Sequence, residues 1–247
     1  MKRPRTPEEE QPSQTAPPRP LQNRVTPHGA IVRTAERYPD PTAMFGNRGV
    51  LHDDRRNLVR QHRGKMWLSC RLRVDRTRKV QRDDNRAFNG RKRTLMAPRR
   101  YTELFFLDEP TSMAAGHRPC ACCRRADFTR FLACWRAAHP NGQWTAGSID
   151  AALHDERLAR RLPAAAPAAL PDGTFVLRSA DDAAWLKWRG RLHRWTHGGY
   201  VDAAPLDADD EVRVLTPSLL VATLAAGFEP NAPHASAGER ASPVDVG

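Results

Sequence analysis

The chain has 247 residues, 40% of them hydrophobic, and its 40 Lys+Arg against 28 Asp+Glu give a formal charge of +12. That length buries a core in one large domain or two small ones, no run approaches the roughly 20 apolar residues that span a bilayer, and "MKRPRTPEEEQPSQ" lacks the apolar stretch of a secretory leader. Five cysteines, three of them crowded into positions 120 to 123, argue against a disulfide framework and for thiols in a reducing, cytoplasmic interior.

Residues 1 to 42, rich in Pro, Thr, Gln and Glu, are expected to form a disordered tail, with room for a short helix at "HGAIVRTAERY". The folded body is expected to start near "MFGNRGVLHDD". Val50 and Leu51 precede a turn-like "HDDRRN", and from Lys65 to Val74 the residues Met66, Leu68 and Cys70 alternate with Trp67, Ser69 and Arg71 as in a strand. This reads as a hairpin whose ends, at Leu51 and Cys70, meet. Asp75 to Arg93 has almost nothing to bury and reads as a basic loop, 75–93, or a solvated hairpin turning at Asn89–Gly90. The charge is local: Arg48 to Arg100 holds 18 Lys+Arg and 5 Asp+Glu, and the rest of the chain is close to neutral. Such a patch is the electrostatic footprint of a nucleic-acid partner, with a solvated charged loop as the other reading.

Tyr101 to Leu107 reads as a buried strand running into a helix. Asp108 can accept from the free amides of the first turn, Pro110 is tolerated there, and Gly116 closes the helix in the left-handed conformation. In the next helix Phe128, Phe131, Leu132 and Trp135 form one apolar stripe, stopped by "HPNG". "SIDAALHDERLARRL" is expected to be a helix capped by Ser148, and "PAAAPAALPDG" a linker. "TFVLR" and "AAWLKWRGRLHRWTHGGYVDA" read as short strands turning at Gly190 and Gly198–Gly199. "VRVLTPSLLVATLAAGFEP" reads as a strand and a helix capped by Thr216 and closed by Gly227. Trp185, Trp188, Trp195 and Tyr200 fit a sheet core better than a base-stacking platform, and His193 and His197 receive no role.

Cys120 and Cys123 have the Cys-x-x-Cys spacing that aims two thiolates at one ion. Zinc takes four ligands, with sulfur about 2.3 Å away. Cys70 and His52, at the two ends of the expected hairpin, are the candidates to complete the set, followed by His117 and His62. Cys122 points away if both neighbours bind, and Cys134 beside Trp135 packs as a small hydrophobe. A thioredoxin-like redox pair shares the spacing, but the basic segment and the helix ending just before the motif do not suit a redox domain.

The stretch "ELFFLDEPTSMAAGHRPCACCRRAD", residues 103 to 127, resembles the zinc-binding domain of the Ada DNA-repair protein in the order and spacing of helix, glycine stop, Arg-Pro and cysteine pair. The resemblance implies a small mixed α/β zinc domain that contacts DNA, with Cys120 and Cys123 as the second half of its metal site. That family carries an earlier cysteine pair, one member of which accepts a methyl group from a DNA phosphotriester; here Cys70 stands alone upstream, and a neutral histidine beside it leaves a less reactive thiolate.

The expectation is therefore an α+β chain: a disordered tail 1–42, an Ada-like zinc domain 43–140, a helix and linker 141–171, a small α+β region 172–236 and a tail 237–247. Its expected function is zinc-stabilised DNA binding. Cys70, Cys120, Cys123 and His52 hold zinc, and Arg91, Lys92, Arg93, Arg118, Arg124 and Arg125 meet phosphate. The alternatives are a zinc-thiolate methyl acceptor through Cys70, a nuclease, for which Asp53, Asp54, Asp108 and Glu109 form no recognisable set, or a zinc-stapled module that binds an acidic protein.

Overall fold

The computed structural model describes residues 21–34, 42–72, 94–159, 161–178, 182–206 and 211–238. Positions 1–20 and 239–247 of the expected tails, and the basic loop 75–93, lie outside them.

The first sheet contains β1 (Leu21–Val25), β2 (Ile31–Thr34), β3 (Met44–Asn47), β4 (Leu68–Arg71), β5 (Leu104–Phe106) and β6 (Arg118–Pro119), in the order β2-β1-β5-β3-β4-β6. The hairpin of β1 and β2 corrects the expected tail, and β2 stands where a helix was expected. Few apolar residues mark these strands, yet Val25 is fully buried against the Leu104, Phe106 and Leu51 cluster. Burial comes here from pairing with β5, where Arg24 stands beside Phe105 far along the chain, and no local pattern reports it.

β3 pairs with β4 so that Phe45 faces Cys70, and with β5 so that Phe45 faces Phe105. The strand partner of Cys70 is therefore Phe45, which corrects the hairpin expected from Leu51. A Cβ on Gly46 would overlap the Leu68 carbonyl and lie 2.8 Å from the Phe106 ring, so only glycine lets these strands approach. Leu51 belongs to the long connection after β3, where its amide donates to Thr102 Oγ1 at 2.8 Å.

α1 (Glu109–Ala114) follows the expected rules: Asp108 Oδ1 accepts from the Thr111 amide at 2.9 Å, and Gly116 closes it at φ +80°. Met113 of α1 joins Phe131 and Trp135 of α2 (Arg125–Ala138), Ile149 and Leu153 of α3 (Ala146–Ala159), and Leu220 and Leu224 of α4 (Ser218–Ala225) in one core. Two caps differ from expectation. Ahead of α3, Thr145 and Ser148 exchange amide-to-hydroxyl bonds of 2.8 and 3.2 Å. At α4 the Thr216 hydroxyl instead accepts from the Phe175 amide, while Glu156 of α3 accepts from the amides of Ser218 and Leu219.

The second sheet holds β7 (Ala164–Ala165), β8 (Phe175–Arg178), β9 (Ala184–Trp188), β10 (Arg191–Thr196), β11 (Gly199–Pro205) and β12 (Val212–Val214), in the order β11-β10-β9-β8-β12-β7. The expected linker contributes β7. Trp185 and Tyr200 are core residues, with Trp188 and Trp195 packed against it. Phe175, Leu177, Leu186 and Tyr200 share one cluster with Leu107 and Ala114 of the first half. The boundaries at 140 and 171 are thus crossed by shared cores, and Ala237, expected in the tail, is buried. Asp108 Oδ2 accepts from Tyr200 Oη at 2.8 Å and from the His234 amide at 3.1 Å, so the carboxylate that caps α1 also grips the second sheet. Burial, then the Asp108 charge, holds the Tyr200 phenol well above its usual pKa. The chain is a mixed α+β fold, as expected.

Candidate metal centre

β4 and β6 run parallel, with Leu68 beside Arg118 and Ser69 beside Pro119. The Cys120 amide continues this ladder by donating to Ser69 O at 2.9 Å, which sets Cys120 next to Cys70. A turn closed by the Arg124 amide on Cys120 O, at 3.0 Å, then brings Cys123 back toward both. The sulfurs of Cys70, Cys120 and Cys123 all lie within 4.8 Å of one another. Ligands about 2.3 Å from a tetrahedral ion stand about 3.8 Å apart, so these three cysteines can hold a metal ion. Phe45 lies in the same buried cluster, with Leu68, Tyr101 and Phe105 packed against it.

The backbone also favours thiolate. The Cys122 amide donates to Cys120 Sγ at 3.4 Å, the Cys123 amide donates to the same sulfur, and the Arg71 amide donates to Cys123. Hydrogen bonds from the Cys123 and Cys70 side chains, with those amides, lower the Cys120 thiol to about 2. Its hydrogen bonds to Cys120 and Cys123, together with burial, push Cys70 far above the ordinary thiol range. The trio titrates as a unit, and metal binding displaces its protons.

His52 does not join them. Its Nδ1 pairs with Thr102 Oγ1 at 2.6 Å and its Nε2 with Ala97 O at 3.2 Å. The expected fourth ligand is corrected for the same reason as the hairpin: the residue that faces Cys70 across the ladder is Phe45. His117 is fully buried and accepts from Arg48 Nε at 3.2 Å; burial, then the charges of Arg48 and Arg157, hold it well below its usual pKa. His62 lies against Trp67 and His154. Among the described residues, no His, Asp or Glu belongs to the three-cysteine group. Cys122 is exposed, and Cys134 packs partly buried in the helical core.

Two of the arginines expected at phosphate are internal braces. Arg118 Nε and Nη2 fork onto Asp150 at 2.8 and 2.7 Å. Burial outweighs this pairing and keeps the Asp150 carboxyl above its usual range, so the fork positions α3 more than it stabilises it. Arg124 is 1% exposed and donates to Asp127 at 2.9 Å and to Ser69 Oγ at 2.8 Å. Its Nη2 also stands 2.6 Å from Glu109 Oε1, an ion pair whose angle falls outside hydrogen-bond geometry. A guanidinium tolerates the interior when carboxylates meet it there, and nothing in "HRP" or "CRRAD" distinguishes this from a surface charge. The brace is not legible in the sequence beyond one signal, acidic Glu109 in the first turn of a helix that directly follows a strand expected to be buried. Arg125 is exposed, whereas Arg91, Lys92 and Arg93 lie outside the described residues. Arg71, next to Cys70, and Arg130 of α2 both reach Asp127 with side chains more than half exposed.

No family model, curated protein or solved structure matches the chain. Among the described residues, no helix is long and apolar enough to cross a membrane.

Proposed function

We propose that the protein is a cytoplasmic, zinc-stabilised nucleic-acid-binding protein with DNA as its partner. The observation that carries this reading is the convergence of Cys70, Cys120 and Cys123 at one sheet edge, with exposed Arg71 directly after Cys70 and exposed Arg125 two residues after Cys123. An all-sulfur set suits zinc better than the harder divalent ions. The positive surplus between Arg48 and Arg100 supplies the field that attracts a polyanion, and the resemblance of residues 103 to 127 to the Ada zinc domain points the same way. With Arg118 and Arg124 internal, phosphate contacts fall to Arg71, Arg125 and Arg130, and to Arg91, Lys92 and Arg93.

Elemental analysis of wild type, Cys70→Ser, Cys123→Ser and His52→Ala tests the metal. One zinc per chain is expected, lost or weakened in both cysteine variants and retained in His52→Ala. Duplex DNA competed with heparin tests the partner: heparin displacing the protein as readily as DNA does would reduce the binding to bulk charge, and wild type without zinc would remove the metal reading.

A second reading, methyl acceptance by Cys70 on zinc, draws on the same three sulfurs, since a metal-held thiolate remains nucleophilic at neutral pH. Incubation with methyl-labelled phosphotriester DNA tests it, and an unlabelled protein refutes it.

A further inference from the structure

A second group of cations lies at a cavity of about 530 Å³ between the β1–β2 turn, the connection from β3 to β4 and the end of α3. Its polar lining includes Arg48, Arg157, His62 and His154, and Leu158, Leu162 and Leu215 supply apolar wall. Both guanidinium groups stack on Trp67, with Cζ 3.9 Å from the ring centroid for Arg48 and 4.0 Å for Arg157.

Among the described residues these arginines lack a carboxylate in contact. Arg48 donates to Gly29 O at 2.8 Å and to His117 Nε2 at 3.2 Å, and Arg157 donates to Gly116 O at 2.6 Å and to Lys65 O at 2.9 Å. Every one of these acceptors is neutral. Neither guanidinium forms an ion pair among the described residues. Arg48 Nη2 and Arg157 Nε are buried with no hydrogen-bond partner, as is His154 Nδ1. Asp150 is engaged with Arg118, and Glu156, which also lines the cavity, turns its two oxygens to the amides that open α4. Burial, then the charge of Arg157, lowers Arg48 to about 9, and burial lowers Arg157 to about 10 despite the fields of Asp150 and Glu156. A buried cation without an ion pair, as Arg48 is, and a half-buried one beside it, as Arg157 is, are unfavourable until an anion completes them, and groups perturbed in this way cluster at binding sites.

We propose that this cavity binds a nucleoside monophosphate group, whose phosphoryl oxygens meet the Arg48–Arg157 pair while the base rests on the leucine wall. Two guanidinium groups with two imidazoles beside them offer more donors than a single carboxylate can use, and suit a phosphomonoester dianion. The volume exceeds what a bare phosphate ion fills and lies in the range of organic-ligand pockets. A free mononucleotide and the 5′-terminal nucleotide of a strand share this chemistry. The site uses none of the cysteines and stands whether or not the metal reading does.

Calorimetric titration of the full chain with 5′-AMP, adenosine, and a short single-stranded DNA with and without a 5′-phosphate tests the proposal. Saturable binding is expected only for phosphorylated probes. Tighter binding of 5′-AMP identifies a free mononucleotide, and tighter binding of the phosphorylated strand identifies a strand end. Arg157→Gln is expected to weaken binding by about tenfold or more, the loss of one charged donor. Leu158→Glu, at a position 61% exposed, adds a negative charge to the cavity wall without touching the core and is expected to act in the same direction. No saturable binding of either phosphorylated probe, equal binding of adenosine, or unchanged affinity in Leu158→Glu would overturn the proposal.

Discussion

Replacing Arg124 with methionine removes the cation that, among the described residues, neutralises Glu109 in the interior. Glu109 is 1% exposed and stands 2.6 Å from the lost guanidinium; its other oxygen accepts from the Asn231 amide at 2.9 Å and offers no compensating charge. Asp127 fares better, because Arg130 still donates to it at 2.9 Å. Breaking a buried pair from one side costs about 3–5 kcal/mol, and at about 2–4 °C per kcal/mol for a chain of this size the melting point should fall by roughly 6–20 °C. Arg125→Met, one residue away and exposed, should stay within about 0.5 kcal/mol. Scanning calorimetry of the two variants side by side measures the contrast, and equal melting points would refute the assignment of Arg124 as a brace. The acid limb provides a further check. Burial raises the Asp127 carboxyl, but hydrogen bonds and charge from Arg130 and Arg124 outweigh it and leave it below its usual range. Its contribution is therefore present above about pH 4 and is lost as pH falls through the lower folded value; in Arg124→Met that acid-side loss should shrink.

Gly46→Ala should destabilise by about 2 kcal/mol or more and weaken metal binding with it, because the new methyl drives β3 off β4 beside Cys70; denaturant melts with and without zinc measure both effects. Tyr200→Phe should cost about 1–3 kcal/mol by leaving Asp108 Oδ2 short of a donor, which a urea midpoint reads directly. His117, held well below 6.5 first by burial, stays neutral in the fold while the unfolded chain takes up a proton. Stability should accordingly fall as pH drops below about 6.5, by up to about 1.4 kcal/mol per unit, and urea midpoints of His117→Gln measured on both sides of that pH should show a flatter slope.

Features written into neighbouring residues were legible in the sequence. The Asp108 cap, the Gly116 stop, the stripe of Phe128, Phe131, Leu132 and Trp135, and the strands turning at Gly190 and Gly199 rest on spacing within one element. What escaped depends on partners far along the chain. The Arg118 fork closes on Asp150, 32 residues away, and the α4 cap comes from Glu156, 62 residues away. His52 was misplaced because alternation locates a strand but leaves its partner open: Leu51 and Phe45 are both apolar, and only the glycine contact at position 46 selects the second. Cys70 is legible nonetheless, since it lies on Leu68–Arg71, within the stretch that the alternation marks as a strand, and only the mate of that strand is not.

Asp108 has a consequence for how the molecule comes apart. One carboxylate, just past β5 of the first sheet, starts α1 and holds a phenol of the second sheet, so the first half cannot melt without stripping the second of a buried bond. Leu107 and Ala114 lie in the same cluster as Phe175 and Leu186 and would be bared by the same event. Heating should give a single cooperative transition, with calorimetric and van't Hoff enthalpies in agreement. A truncation after residue 140 would keep all three sulfurs and lose the surface that covers their support, so the unit that folds, and that could be moved intact into another chain, is both sheets together.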